Sequence, residues 1–197
     1  MKLVFIRHGQ TELNTAGLTH KPGSEIGLDV VGKDQARKTA IYCQTLSLDA
    51  LFSSPEKRAI ETANIISEHD HLSNNVSAKI KERDWGDWNG KPWEEIKAIL
   101  DEKTLHDRYT FIPPNGESWE QMELRMKSFL DEINSQTATC VGVVTHGGAM
   151  RGLMPILNNK PLNTSLAYDF ANASVTIIDH VNGKYSEVVV NSVEHLQ

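Results

Sequence analysis

The feature that most constrains the fold is a short apolar run at the start of the chain that ends abruptly in polar residues. Residues 2–6 read KLVFI, and their β-branched and aromatic side chains predict a buried strand. Arg7 and His8 follow at once, and both are poor candidates for a hydrophobic core. Open α/β sheets place ligands outside the carboxyl ends of their strands, so this junction predicts a site at a sheet edge.

Two later strand candidates end in the same manner. Ala50–Ser53 leads into a turn that carries Arg58, and the continuously apolar Cys140–Thr145 ends in His146. Parallel strands place their carboxyl ends on one side of a sheet, so two arginines and two histidines are expected to converge there. Two guanidinium groups suit a tetrahedral oxyanion, and histidine supplies a nucleophile or a donor near neutral pH.

Helical patterns alternate with the strand candidates. The predicted helices run from Asp29 to Leu46, from Pro55 to Glu68, from Pro92, from the capping box Ser118–Gln121 and from the residues after His146. Further strands are predicted at Val76–Ile80 and as a hairpin of Ser174–Asp179 and Tyr185–Val190. This alternation predicts an α/β fold, a three-layer α/β/α sandwich around a mostly parallel sheet. No linker or repeat divides residues 1–197, so a single domain is expected.

Composition narrows the range of functions and partners. The formal net charge is -6, which gives no support to nucleic-acid binding, so an anionic substrate would need a local basic cluster. No apolar run has the length of a membrane span, and the start of the chain shows no signal-peptide pattern, so a cytoplasmic protein without a membrane partner is expected. Cys43 and Cys140 fall in apolar segments and are expected to be buried, reduced thiols.

Two clusters remain to be interpreted. His69, Asp70 and His71 suggest a metal site, but at a polar helix end they are better explained as solvated residues, and no metal is expected. The polar and aromatic loop at residues 81–90 follows a strand candidate, so it brings the carboxylate of Glu82 to the same rim as the arginines and histidines.

Five blocks of the sequence resemble the histidine phosphatase superfamily, which is also called phosphoglycerate mutase-like. They are R-H-G-x-T-x-x-N at 7–14, S-S-P-x-x-R-A-x-x-T-A at 53–63, E-x-x-x-G-x-W-x-G at 82–90, G-E-S at 116–118 and T-H-G-G at 145–148. The blocks occur in the family's order over most of the chain, and the resemblance implies that family's fold. One departure lies in the loop after the first block, where members often carry a Gln-Gly pair and this chain has Thr19 to Pro22.

The resemblance also implies a separate catalytic role for each of the residues at this rim. Neutral His8 would attack phosphorus and form a phosphohistidine, while Arg7, Arg58 and His146 would hold the phosphoryl oxygens. Glu82 would protonate the leaving oxygen and then take a proton from the attacking water. Asp84 competes for that role, and the loop match favours Glu82.

Further contacts are expected around these residues. Asn14 and the first amides of the helix after His146, beginning at Gly147, would donate to the phosphate. Gln10, His20 and Lys21 would contact the substrate. For His20 and Lys21 a place on the loop surface is an equal alternative.

The resemblance therefore implies a metal-independent phosphomonoesterase that acts on small phosphorylated metabolites, without a cofactor, as a monomer or homodimer. The alternatives are a cofactor-dependent phosphoglycerate mutase, a specialised enzyme such as an α-ribazole phosphatase, or a phosphate-binding or protein-binding module without turnover. A phosphatase is favoured over a mutase because only 146 − 82 = 64 positions separate Glu82 from His146, and the family's mutases carry a longer insertion there. The tail at residues 191–197 has no basic residue, and the loop at residues 15–27 offers only Lys21 for a second anionic group.

Overall fold

A mixed sheet of six strands forms the centre of the protein. The structure is a computed structural model that describes residues 1–197 except for the side chains of Leu162, Asn163 and Leu166. The strands are β1 (Lys2–Arg7), β2 (Ala50–Ser53), β3 (Asn74–Val76), β4 (Cys140–Thr145), β5 (Val175–Val181) and β6 (Lys184–Ser192). Their order is β3-β2-β4-β1-β5-β6, with β3, β2, β4 and β1 parallel and β5 and β6 antiparallel.

The helices alternate with the strands as the sequence predicts. They are α1 (Glu12–Thr15), α2 (Val30–Leu46), α3 (Lys57–Asp70), α4 (Trp93–Asp101), α5 (Leu105–Thr110), α6 (Trp119–Asn134) and α7 (Gly147–Leu157). The predicted caps of α2 and α6 are confirmed: the Asp29 side chain accepts from the Gly32 amide, and Ser118 and Gln121 form a capping box.

Several predicted boundaries are wrong: the helix predicted from Pro92 begins at Trp93, and the hairpin strands are Val175–Val181 and Lys184–Ser192. Two further differences have a local cause. Helix α3 begins at Lys57 and not at Pro55, because Glu56 is still extended as the N-cap residue. The predicted strand Val76–Ile80 ends at Val76, because the Ser77 side chain accepts from the amide of Lys79 and starts a 3₁₀ turn at Ala78–Ile80.

Two apolar clusters cover the two faces of the sheet, which confirms the predicted three-layer arrangement. Alternate residues of β1 point to opposite faces: Leu3 and Phe5 join the cluster of α6 and α7, and Val4 and Ile6 join that of α2 and α3. The apolar stripe of α6 is buried. Cys43 and Cys140 are buried free thiols, as predicted.

The register of the parallel strands positions the site. Arg7 pairs with Thr145 across β1 and β4, and Ser53 of β2 pairs with Val144 of β4. The residues that follow these three strands therefore lie side by side at one edge of the sheet. In the part of the chain that the structure describes, no helix is both long and apolar enough to cross a bilayer.

Candidate active site

His8, the first residue after β1, is held in one tautomer by the backbone. Its Nδ1 lies 2.7 Å from the carbonyl oxygen of Gly9, which can only accept a hydrogen bond, so Nδ1 carries the proton. Nε2 is left with a lone pair, and Arg58 Nε donates to it at 3.2 Å. Burial lowers the pKa of His8 well below its ordinary value, and the nearby charges of Arg58, His146 and Arg7 lower it further. The imidazole is therefore neutral and has the form that a nucleophile requires.

Gly9 allows a close backbone approach that fixes this turn. A Cβ at Gly9 would stand 2.5 Å from the carbonyl oxygen of Gly32, in the first turn of α2. The amide of Gly9 donates to the Thr62 hydroxyl of α3 at 3.1 Å. Helices α2 and α3 therefore both contact Gly9, the residue beside His8.

Arg58 joins the two histidines of the site. It lies in the first turn of α3, is 1% exposed, and donates through Nη2 to His146 Nδ1 at 3.0 Å. The imidazole rings of His8 and His146 lie 5.1 Å apart between centroids. Among the described residues, Arg58 Nη1 has no hydrogen-bond partner although it is buried. An unused guanidinium donor beside two histidines is a feature that an anionic ligand would satisfy.

Arg7, at the end of β1, supplies a second guanidinium to the same place. Its Nη1 donates to the carbonyl oxygen of Phe170, and its Nε is buried and has no partner among the described residues. It packs against Gly147, where an added Cβ would stand 3.4 Å from Arg7 Nε. Burial lowers the pKa of Arg7, and the carboxylate of Glu82 opposes that effect.

Glu82 is fixed between its own loop and the start of α7. Its Oε1 accepts from the Arg83 amide at 2.9 Å, and its Oε2 accepts from the Gly148 amide at 3.0 Å. A Cβ at Gly148 would stand 2.4 Å from Glu82 Oε1, so a larger residue there would displace the carboxylate. The Gly148 amide, which the sequence assigns to the phosphate together with that of Gly147, is used by Glu82 instead.

Asp84, the competing acid, has a different role. Its Oδ1 accepts from the Gly86 amide and from Asn89 Nδ2, each at 2.8 Å, and these bonds close the loop at residues 84–89. The cavity of the site is lined by Glu82 and not by Asp84. This difference supports the choice of Glu82.

The cavity has a volume of about 350 Å³ and opens beside Arg7, Glu82 and Gly147. Asn14 lines it, and its Oδ1 accepts from the Thr11 amide and from Asn172 Nδ2, both at 3.1 Å. Its walls also include an aliphatic side chain, three indoles, two further arginines and a second carboxylate: Leu18, Trp85, Trp93, Trp119, Arg83, Arg151 and Asp169.

The three expected substrate contacts separate in the structure. His20 lines the cavity, with Nε2 2.9 Å from the Thr11 hydroxyl and its ring 5.8 Å from that of His8. Burial, then the charge of Arg58, lowers the pKa of His20 to about 3, so it is neutral. Lys21 is exposed and does not line the cavity. Gln10 donates to Asp29 at 3.0 Å and lines a neighbouring groove.

Four charged residues of the site, Glu56, Arg83, Arg151 and Asp169, are missed by the sequence analysis. Glu56 is 3% exposed and bonds to His146 Nε2 at 2.5 Å. Arg83 is 1% exposed, and its guanidinium lies 4.1 Å and 4.8 Å from the ring centroids of Trp85 and Trp119. Arg151 pairs with Asp169 at 3.2 Å. Helical spacing would have found Arg151, because a residue three positions after Gly148 shares its helix face.

Among the described residues, no group of three or more His, Cys, Asp or Glu side chains is arranged to hold a metal ion. His69 and Asp70 lie in the last turn of α3, and His71 is its C-cap in the left-handed conformation. Beside the two histidines, positive charge is contributed by Arg7 and Arg58, and Arg83 and Arg151 add more along the cavity.

Comparisons with known proteins agree with this geometry. Residues 3–193 match the model of the histidine phosphatase superfamily (branch 1). Phosphoserine phosphatase 1 of Hydrogenobacter thermophilus is 30% identical over 90% of this chain and 86% of its own. The uncharacterized phosphatase PhoE of Bacillus subtilis is 35% identical over 76% of this chain and 74% of its own.

A solved structure shows the same likeness in three dimensions. A mycobacterial glucosyl-3-phosphoglycerate phosphatase in complex with VO3 superimposes with a TM-score of 0.85 at 26% identity, over 97% of this chain and 99% of that one. The protein belongs to the histidine phosphatase superfamily. The relatives named here are phosphatases, in agreement with a phosphatase hydrolase, and its homologues also include a phosphoglycerate mutase.

Proposed function

We propose that the protein is a metal-independent phosphomonoesterase that hydrolyses small phosphorylated metabolites through a phosphohistidine on His8. The observation that carries this proposal is the state of His8: its Nδ1 proton is donated to the Gly9 carbonyl, and its Nε2 lone pair is turned toward Arg58. A nucleophilic histidine needs this tautomer beside donors that can hold the attacked group. The partnerless Arg7 Nε and Arg58 Nη1 are such donors.

The first step transfers the phosphoryl group to the enzyme. Nε2 of His8 forms the N–P bond as the ester O–P bond breaks, and Glu82 gives its proton to the leaving oxygen. Arg7, Arg58 and His146 hold the oxygens of the transferring group, and the charges of the two arginines offset the charge that develops.

The second step releases phosphate. A water attacks the phosphohistidine from the side that the leaving group has vacated, and Glu82, now a carboxylate, takes a proton from it. The P–N bond breaks, the electron pair returns to His8 Nε2, and inorganic phosphate leaves. Glu82 recovers its proton in this step, so both residues return to their starting states.

The walls of the cavity indicate which leaving groups fit. Trp85, Trp93 and Trp119 offer apolar surface, and Arg151 offers positive charge. His20 is neutral and therefore offers a hydrogen bond without charge. A leaving group with an apolar or planar part is favoured, and an anionic substituent is accommodated.

A phosphoglycerate mutase is the second candidate, and one observation favours it. Arg83 and Arg151 both line the cavity, so there is more positive charge for a second anionic group than the sequence indicates. Arg83, however, donates to the carbonyl oxygens of Glu117 and Phe111, which uses part of its guanidinium for structure. Hydrolysis therefore remains the proposal, with an α-ribazole phosphatase as one specialised form.

The experiment is a screen of phosphorylated metabolites and p-nitrophenyl phosphate, scored by kcat/KM for phosphate release. We expect hydrolysis of several monoesters, unchanged after dialysis against EDTA because the charge is balanced by arginines. A loss that Mg²⁺ or Zn²⁺ restores would contradict metal independence. Isomerisation of 3-phosphoglycerate, primed with 2,3-bisphosphoglycerate, at a rate well above the best hydrolysis would identify a mutase. Phosphate binding without any turnover would identify a binding module.

A further inference from the structure

His146 is enclosed by two partners of opposite charge. Arg58 Nη2 lies 3.0 Å from its Nδ1, and a Glu56 carboxylate oxygen lies 2.5 Å from its Nε2. The Ser54 hydroxyl lies 2.8 Å from the same Nε2 and donates to Glu56. The imidazole is fully buried, and Glu56 is 3% exposed, so water does not compete for these bonds.

The two partners define where the proton of His146 lies. A guanidinium nitrogen only donates, so Nδ1 of His146 must accept and carries no proton. The proton is therefore on Nε2, where it is donated to the carboxylate of Glu56. Nδ1 accepts from Arg58 in the free enzyme, and it can meet a phosphoryl oxygen once Arg58 Nη2 turns to that oxygen instead.

The charges around His146 come from several elements. Those facing it are the groups of Glu56 and Arg58 at the start of α3, of Glu82 in its loop, of His8 after β1 and of His20 in the loop at residues 15–27. Burial lowers the pKa of His146, and Glu56 opposes this effect more than any other group. Burial alone would raise the pKa of Glu56, but His146, Arg58 and Ser54 hold it below its ordinary value. In the free enzyme the pair is a carboxylate and a neutral imidazole.

We propose that Glu56 is a positioning residue that lets His146 become an imidazolium when a phosphoryl group binds. The proposal rests on the proposed function, because it concerns how that site holds its substrate. When the phosphoryl group binds, Arg58 Nη2 turns its hydrogen bond from Nδ1 of His146 to a phosphoryl oxygen. One proton is taken up from solvent onto the freed Nδ1, and His146 then donates it in a hydrogen bond to the phosphoryl group. Glu56 does not touch the substrate. It contributes the negative charge that offsets the imidazolium inside the protein.

Glu56→Gln separates charge from shape, because glutamine keeps the acceptor for Nε2 and removes the charge. We expect the alkaline limb of the kcat/KM profile to move down by about one pH unit, which corresponds to a loss of about tenfold above that limb. Glu56→Asp restores the charge and should return the limb toward its wild-type position. Glu68→Gln makes the same change at an exposed position of α3 and serves as the control.

Proton uptake gives a second readout that does not need turnover. Inorganic phosphate binding is measured by calorimetry in buffers with different enthalpies of ionisation, which reports the number of protons taken up. We expect the wild type to take up more protons than Glu56→Gln above pH 7. If the protein binds phosphate with this uptake but hydrolyses nothing, the proposed function fails and the role of Glu56 stands.

The opposite results overturn the role of Glu56. They are a Glu56→Gln profile that runs parallel to the wild type at every pH, or equal proton uptake in the two proteins. Melting temperatures of all variants are measured beside the kinetics. If Glu56→Gln does not fold, the test passes to Glu56→Asp. It should keep the wild-type profile at reduced kcat/KM, and an alkaline limb displaced as if the charge were lost would contradict the proposal.

Discussion

The carboxyl ends of β1 and β4 carry similar histidines in different settings. His8 and His146 are both buried, they follow adjacent parallel strands, and Arg58 contacts both. The ring nitrogen that points away from Arg58 is Nδ1 in His8 and Nε2 in His146. Nδ1 of His8 faces the neutral carbonyl of Gly9, whereas Nε2 of His146 faces the carboxylate of Glu56. A carbonyl fixes the tautomer without adding charge, and a carboxylate fixes it and adds one.

The difference in charge between the Gly9 carbonyl and the Glu56 carboxylate is enough to give the two histidines different roles. With no counter-charge, His8 stays neutral and keeps a lone pair for attack. With Glu56 behind it, His146 is able to carry a second proton and act as a donor. The general lesson is that the group behind a buried histidine decides whether it serves as nucleophile or cation.

The largest expected effect is on turnover when each histidine is removed. His8→Ala should leave no detectable hydrolysis, because the nucleophile is gone while Arg7 and Arg58 still bind phosphate. His146→Ala should keep residual hydrolysis, reduced by about 10²–10³-fold as for the loss of one transition-state donor. Steady-state kcat with p-nitrophenyl phosphate gives both values.

Inorganic phosphate affinity is the control for this comparison, since His8→Ala should still bind phosphate. If His146→Ala is inactive and His8→Ala retains turnover, the two roles are reversed.

Glu82→Gln tests whether the acid serves the leaving group that His8 displaces. An alkyl alkoxide needs a proton as the bond breaks, so kcat/KM for alkyl phosphates should fall by about 10²–10⁴-fold. p-Nitrophenolate is a stable leaving group, so that substrate should lose much less. Glutamine keeps one of the two acceptor oxygens, so it can hold the Gly148 amide but loses the bond to the Arg83 amide, and melting temperatures are measured beside the kinetics.

Asp84→Asn is the matched variant, because Asp84 closes the same loop without lining the cavity. Equal losses on both substrates with Glu82→Gln, together with a leaving-group dependence in Asp84→Asn, would transfer the acid role to Asp84.

The smallest expected effect is on stability and concerns Glu123. This carboxylate is buried like Glu56 but lacks the neighbouring cations that Glu56 has. Glu123 is 6% exposed and accepts from the Tyr109 hydroxyl at 2.7 Å. Burial raises the pKa of Glu123 to about 7, with Tyr109 opposing the shift. The folded protein therefore holds this proton more tightly than the unfolded chain, and ionisation of Glu123 lowers stability as pH rises from about 4.5 to about 7.

Glu123→Gln should consequently stabilise the protein at pH 8, by about 2 kcal/mol, and leave its stability at pH 4 nearly unchanged. Urea unfolding at the two pH values measures this difference. Asp131→Asn on the exposed face of the same helix controls for the loss of one negative charge. A gain that is equal at both pH values would show that Glu123 is not ionised at a cost.

The sequence predicts the fold well because its signals are local. The apolar runs of β1 and β4, the cap at Asp29 and the capping box at Ser118 each depend on neighbouring residues. The strand predicted over Val76–Ile80 is wrong after Val76. The Ser77 side chain accepts a hydrogen bond from the Lys79 amide, and this bond starts a 3₁₀ turn in place of the strand.

The site is predictable only in part, for the same reason. Arg7, His8, Arg58 and His146 follow strands, so their meeting can be deduced from a parallel sheet. Glu56 next to a proline looks like an ordinary acidic residue at a helix start, and nothing local shows that His146 covers it. Arg83 lies in a polar loop, and its burial depends on Trp119, which comes from a distant helix.

The proposed nucleophile is His8 and not His146. Identifying which of the two histidines is phosphorylated during turnover distinguishes these possibilities. The enzyme is mixed with a ³²P-labelled substrate and quenched in alkali within one turnover, since phosphohistidine is stable to base and labile to acid. Peptide mapping by mass spectrometry then locates the label. We expect one phosphate on His8 in the wild type, still on His8 in His146→Ala and absent from His8→Ala. Phosphate on His146 in the wild type would contradict it.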